Sequence, residues 1–229
     1  MSEAIHKLAA IQSLKLSDAR SLPAPLSTGI DALDANFGGG LPRGALTEIF
    51  GEPAQGGWWF GLRTLANVRD KMCALVEPAA TFFPPGAAYL GVNLRRLIVI
   101  RENNRKRALW ALERITHEKN IGATIAAIPG LTDTELRRLQ LASEHSGQAC
   151  ILMRAPGELS RASWGALRLK LRAEPSDAGR CIVVETLRAR GGAMPRPIRI
   201  ELENDSLVVR TSALLPHREV GAFRAASAG

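Results

Sequence analysis

Near the start of the chain Ile5, Leu8, Ala9, Ile11 and Leu14 recur at helical spacing between polar positions. One face of such a segment is apolar, which predicts a short amphipathic helix over residues 3–16. Residues 21–25 break the pattern. Residues 26–44, with Gly38, Gly39, Gly40 and Pro42, predict turns around one short helix at 30–33. The period then changes. Residues 45–50, 72–76, 97–100, 123–128 and 149–153 are short, mainly apolar runs with little alternation, as in strands covered on both faces. Between them, residues 58–69, 105–118 and 132–143 carry helical periodicity. Strand, glycine turn, helix and strand in succession form a βαβ unit, which requires a parallel sheet.

After Pro156 the character shifts. Residues 166–173, 181–187, 198–202 and 206–210 alternate apolar with polar or basic positions, the pattern of half-exposed antiparallel strands. The expected architecture is therefore an α/β core of mostly parallel sheet flanked by helices, followed by a C-terminal antiparallel meander. Residues 26–212 form the core, residues 1–25 an N-terminal helix and linker, and residues 213–229 a mobile, small-residue-rich tail in which Leu214, Leu215 and Phe223 are candidate anchors for a partner.

Composition adds bounds. With 229 residues, 46% of them apolar, the chain can bury one sizeable core. A net charge of +8 favours acidic partners such as nucleic acid, although a basic surface that only solvates the protein fits equally well. Cys73, Cys150 and Cys181 lie far apart in apolar surroundings with no C-x-x-C pair, so buried reduced thiols are expected and no metal site. His6, His117, His145 and His217 are scattered, and no Ser-His-Asp set suggests itself. No secretory leader and no apolar run of membrane-spanning length are present, which predicts a cytoplasmic protein with no membrane contact.

The turn after the first strand is the most informative segment. A phosphate-binding loop reads G-x-x-x-x-G-K-[ST] because backbone N–H groups cradle phosphates, the lysine neutralises them and the hydroxyl holds magnesium. Here Gly51, Glu52, Pro53, Ala54, Gln55, Gly56, Gly57 and Trp58 occupy the turn. Both framing glycines are in register. Gly57 stands at the lysine position and Trp58 at the hydroxyl position, Pro53 lacks an N–H, and Glu52 adds negative charge. A Gly51, Gly56, Gly57, Trp58 loop of this kind predicts no functional cofactor site and no bound cofactor. Trp58, Trp59 and Phe60 suit packing against the core better than stacking on bases.

Residues 26–34 (LSTGIDALD), Gly39 to Gly44 and Glu48 to Gly51 resemble the entry to the phosphate loop of the RecA recombinase family, and Cys73 to Val76 with Tyr89 to Asn93 continue the likeness. The resemblance covers residues 26–207 and implies a RecA-like fold. It also places the family's catalytic glutamate on Ala79, with Glu77 close by, and its Walker B aspartate on Ile128 or Pro129. The lysines that reach a neighbouring subunit's nucleotide fall on Glu185 and Leu187. Those substitutions imply a protein that is not an enzyme.

The family's two mobile DNA-binding loops would be lost and shortened here, the first at Pro129, Gly130 and Leu131, the second at residues 155–162. Beside them lies a basic stripe. Arg161, Arg168, Lys170, Arg172, Arg188, Arg190 and Arg196 are candidates for sequence-independent contacts to single-stranded DNA, with Arg168, Lys170 and Arg172 on one strand face.

Among RecA relatives, a short chain with these losses looks like the ImuA accessory proteins of DNA-damage-induced (SOS) mutagenic translesion synthesis. That likeness implies two partners: an ImuB-like homologue of Y-family polymerases and an error-prone polymerase of the replicative type. Two alternatives remain, a SulA-like inhibitor of cell division and a sensor that binds nucleotide without hydrolysis. A homo-oligomer formed through the N-terminal helix is a further expectation.

Overall fold

The computed structural model describes residues 23–78, 81–177, 179–189, 194–203 and 209–213. The expected N-terminal helix over 3–16 and the tail with Leu214, Leu215 and Phe223 lie outside the described residues, as do Ala79 and Arg190.

The chain enters through a turn built by one carboxylate. Asp34 Oδ1 accepts hydrogen bonds from the Thr28 backbone N–H (2.8 Å) and the Thr28 hydroxyl (2.6 Å), and Oδ2 accepts one from Ser27 Oγ (2.6 Å). That ties the segment to the first helix, α1 (Asp31–Asn36), and explains why hydroxyls precede an aspartate in the run LSTGIDALD. Leu26 and Leu41 then bridge, closing the glycine-rich turn.

The main elements follow in order: β1 (Ala45–Phe50), α2 (Gly57–Leu65), β2 (Met72–Glu77), α3 (Pro84–Tyr89), β3 (Leu97–Arg101), α4 (Arg105–His117), β4 (Ile121–Ala126), α5 (Asp133–Ser146), β5 (Ala149–Arg154), β6 (Leu167–Ser176), β7 (Gly179–Ala189), β8 (Ile198–Glu203) and β9 (Val209–Ala213). Among the described residues nine strands form one sheet in the order β3-β2-β4-β5-β1-β6-β7-β8-β9. From β3 to β6 neighbours run parallel, and from β6 to β9 they run antiparallel, as the alternation predicts.

Every residue of β1 and β4 is buried, because helices cover both faces there. On one face Phe60 and Leu65 of α2 pack with Ile49, Ile125, Ile151 and the inward residues of β6 and β7. On the other, Leu109 and Leu112 of α4 and Leu136 and Leu139 of α5 pack on Leu46, Val76, Cys150 and Leu152. β6 buries Leu167, Leu169 and Leu171 and turns Arg168, Lys170 and Arg172 to the other side. All three cysteines are buried and free, and burial pushes the Cys73 and Cys150 thiols up to about 12, which leaves them inert. Among the described residues no helix is long and apolar enough to cross a membrane.

Most expected element ends differ from the observed ones by one to three residues, and the short helix Pro84–Tyr89 is not among the expected elements; three differences have a clear physical cause. The helix expected to reach residue 69 ends at Leu65, where the chain turns to start β2. The strand expected over 123–128 runs Ile121–Ala126, because Ile128 leaves the sheet and buries its side chain in the α4–α5 cluster. The last strand, expected over 206–210, is Val209–Ala213, pairing with β8 from Leu202 to Ile198. Periodicity identifies a strand but cannot see where its hydrogen-bond partner stops.

Phe60 is fully buried at the centre of the α2 face. Phe60→Ala should lower the unfolding free energy by about 3–5 kcal/mol, read from the midpoint of a urea titration.

Candidate functional site

The glycine turn sits at the carboxyl ends of the parallel strands, where sheets of this kind hold ligands. Gly56 begins α2 with φ +92°, and an added Cβ would stand 2.5 Å from Ile182 Cδ1, so only glycine fits. This is the close approach that a phosphate loop needs. Three of the turn's donors, however, bond within the protein. The Gly51 N–H bonds Arg154 O (3.3 Å), the Glu52 N–H bonds the Gln55 side-chain oxygen (3.3 Å), and the Gln55 N–H bonds Glu52 O (3.0 Å). With Pro53 supplying none, four of the loop's residues offer no N–H to a phosphate.

Beside the turn lies a cavity of about 200 Å³, lined by Ile49, Gly51, Glu52, Pro53, Gly57, Trp58, Ala127, Met153, Arg154, Ala155 and Pro156. Small-molecule sites usually enclose about 300–1,000 Å³, so this one is small for a nucleotide. A Cβ at Gly57 would rest 3.5 Å from Met153 Sδ and 3.6 Å from Ile49 Cγ2, both apolar. The lining holds one carboxylate, Glu52, and it is exposed.

The Walker B position needs correction. β4 ends at Ala126, so the residue that reaches the cavity is Ala127, not Ile128 or Pro129, and Ile128 points to the opposite face. No carboxylate stands there in either register. Glu77 is committed elsewhere: it is buried, accepts from the Phe82 N–H (3.1 Å) and Thr81 Oγ1 (2.8 Å), pairs with Arg101 (3.4 Å), and does not line the cavity. Glu185 lies in register with Lys170 on β6. Trp58 and Trp59 pack against the buried cluster that contains Phe60, as expected of core residues.

On the sheet face opposite α2 is a buried charge network. Arg154, with 1% of its side chain exposed, donates to Glu48 Oε1 (2.7 Å) and Glu158 Oε2 (3.1 Å). Glu48 also pairs with Arg168 (3.3 Å) and accepts a very short hydrogen bond from Ser163 Oγ. Glu158 accepts from the Gly130 N–H (3.0 Å), and Arg105 bonds Gly130 O (2.8 Å) and both oxygens of Glu135. Burial works to raise the Glu158 carboxyl, but the Arg154 hydrogen bond and charge outweigh it and hold the group below its ordinary range. Arg105, supported by the Thr132 backbone N–H, holds Glu135 down to about 2.

This network pins both segments where the resemblance implies DNA loops. The link from β4 to α5 is short and held through Gly130. Residues 155–164 are tied at Glu158, at Leu159 O by Arg168, at Ser163 O by Arg188, and at Trp164, whose indole donates to Asp133 (2.7 Å) under the Arg137 guanidinium.

The basic stripe is correspondingly less available than its charges suggest. Arg168 is drawn into the network and lies over the Phe50 ring at 4.7 Å, Arg161 pairs with Glu158, and Arg172 shares Glu174 with Arg199. Lys170 is partly exposed, Arg188 and Arg196 are exposed, and Arg190 lies outside the described residues. Among the described residues no group of three or more His, Cys, Asp or Glu could hold a metal ion. Sequence reading missed Glu48, Arg154 and Glu158, although two charges inside the runs ALTEIF and ACILMR were a visible signal.

Arg154→Met strands two buried carboxylates and should cost about 3–5 kcal/mol of stability, while adding Glu48→Gln and Glu158→Gln to it should restore much of the loss in the same denaturation assay. Because the Glu135 carboxyl is depressed in the folded state, its contribution is full above about 4.5, its ordinary value, and fades as pH falls toward about 2. Glu135→Gln should flatten that part of a stability-against-pH profile.

Comparison with known proteins agrees with this fold. The model of the RecA N-terminal domain matches residues 3–156. The RecA proteins of Rhizobium leguminosarum bv. viciae and of Rhizobium leguminosarum bv. trifolii are each 27% identical to the chain over 204 residues, which is 87% of this chain and 55% and 53% of theirs. The chain thus spans about half the length of the curated relatives it matches. The crystal structure of the RadB recombinase superposes with a TM-score of 0.64 at 20% identity, covering 77% of this chain and 96% of that one, which shows the shared fold. With a family match running from the first residues through β5, and a sheet of the corresponding topology, the chain belongs to the RecA N-terminal domain family.

Proposed function

We propose that this protein is a non-catalytic member of the family that works by binding other proteins, as an accessory factor of DNA-damage-induced mutagenic translesion synthesis of the ImuA kind. Its partners on this reading are an ImuB-like homologue of Y-family polymerases and an error-prone polymerase of the replicative type. The observation that carries the loss of catalysis is the glycine turn. It keeps the glycine geometry of a phosphate loop, yet the N–H groups of Gly51, Glu52 and Gln55 bond within the protein, Pro53 has none, and its cation and hydroxyl positions are Gly57 and Trp58. A phosphoryl-transfer site works almost wholly by positioning charge, and here the charge has gone.

Surface character supports the partner-binding half. Among the described residues β3 is an edge strand, with Ile98 38% exposed, and Phe83, Tyr89 and Leu94, from the segment that leads into it, are 67%, 63% and 40% exposed. An unpaired apolar edge is a surface that binds protein. The candidate tail residues Leu214, Leu215 and Phe223 offer a second docking element.

Purified full chain should show no ATP turnover above a buffer blank and no heat of ATP binding in calorimetry. Turnover that vanishes on Gly56→Ala would overturn the reading. The cognate ImuB-like protein should be retained by immobilised full chain, and Ile98→Glu should weaken retention at least about tenfold, as a charge buried unpaired in an interface does. Recovery of nothing would remove the translesion assignment.

A further inference from the structure

We propose that the outer ridge of α4, formed by Lys106, Trp110 and Arg114, is a contact surface for single-stranded nucleic acid, with one base stacked on Trp110 and the neighbouring phosphates held by the two cations. The surface is separate from the glycine turn and from the basic stripe of β6 and β7, and it does not depend on which polymerases the chain meets.

Exposure is the first observation. α4 buries Ala108, Leu109, Leu112 and Thr116 against the sheet and α5, and its other side carries Trp110 at 64% exposure. Trp58, Trp59 and Trp164 are at most partly exposed. Neither packing nor a hydrogen bond explains a solvated indole at this position, and large aromatic rings are rarely left in water without a use.

The second observation is where the charge falls. Lys106 and Arg114 stand four residues before and four after Trp110, so all three share one ridge. At 1.5 Å of rise per residue the cations are about 12 Å apart along the axis, with the ring midway. Both are exposed, and among the described residues neither forms an ion pair. Two of the nearby carboxylates are already neutralised, Glu102 by Arg107 (3.0 Å) and Glu113 by Arg138 (2.6 Å), and the exposed Glu118 follows Arg114 at the end of the helix with no ion pair among the described residues. What remains is an aromatic face between two uncompensated positive charges.

That arrangement fits a single strand better than the alternatives. A flat ring accepts any base, and cations on either side follow the backbone without reading sequence. Duplex keeps its bases stacked inside and offers the ring nothing. A protein partner would need an apolar rim to keep water from the tryptophan, whereas the positions one turn before and one turn after it on the ridge are the exposed cations Lys106 and Arg114. The stripe on β6 and β7 competes poorly, because Arg161, Arg168 and Arg172 are held by Glu158, Glu48 and Glu174.

The test is fluorescence anisotropy of a labelled oligothymidine titrated with full chain at low salt. The parent should bind, with the oligonucleotide preferred over duplex of the same length. Trp110→Ala should weaken binding by about five- to a hundredfold, while Trp110→Phe retains most of it. Lys106→Glu with Arg114→Glu should lower the slope of log affinity against log salt by about 1.4, two phosphates' worth for a single strand. These side chains are exposed, so each variant should unfold at the parent's urea midpoint. Absence of binding by the parent, equal binding by the Trp110→Ala variant, preference for duplex, or displacement by polyglutamate as effective as by unlabelled oligonucleotide would each overturn the proposal.

Discussion

A guanidinium removed from water must be surrounded by opposite charge, because the desolvation of an ion costs far more than any one contact returns. Arg154 meets that demand at the end of a central strand with Glu48 from the neighbouring strand and Glu158 from the turn that follows. Through Glu158 and Gly130 the same charges reach Arg105 and the capping box of α5, so that β1, β5, the link after β4 and two helices are joined by one polar chain. Such a network is strong when complete and costly when broken, and its hydrogen bonds hold the surrounding loops in place.

The glycine turn lies at the ends of the same strands. It keeps the glycines that the fold needs, with Gly57 and Trp58 at the positions after them. Gly56 remains because the backbone passes too close to Ile182 for any side chain. The N–H groups of Gly51, Glu52 and Gln55 bond to Arg154, Gln55 and Glu52, and mostly apolar side chains wall the cavity beside them. A site can lose its ligand while its scaffold persists, because the scaffold is set by packing and the ligand by charge.

Much of the fold was legible in the residues. Uninterrupted apolar runs mark strands buried on both faces, and the switch to alternation after Pro156 marks the antiparallel part, both consequences of how many faces a strand hides. The glycine turn was legible too, since the loss of a lysine and a hydroxyl is a matter of residue type. The boundaries of β4 and β9 were less so. An isoleucine at 128 is apolar whether it continues a strand or plugs a helix cluster.

By itself, then, the order of residues determined the class of architecture, the position of the glycine turn and the absence of its cation, because periodicity and residue chemistry are local properties. Only the tertiary structure decided which charges are free. Arg168 and Arg114 are the same residue type in similarly basic surroundings, yet one is drawn under a loop to Glu48 and the other stands in solvent beside Trp110. Electrostatic partners are chosen by distance in space, and Glu48 and Arg154 are 106 positions apart in the chain and 2.7 Å apart in the fold.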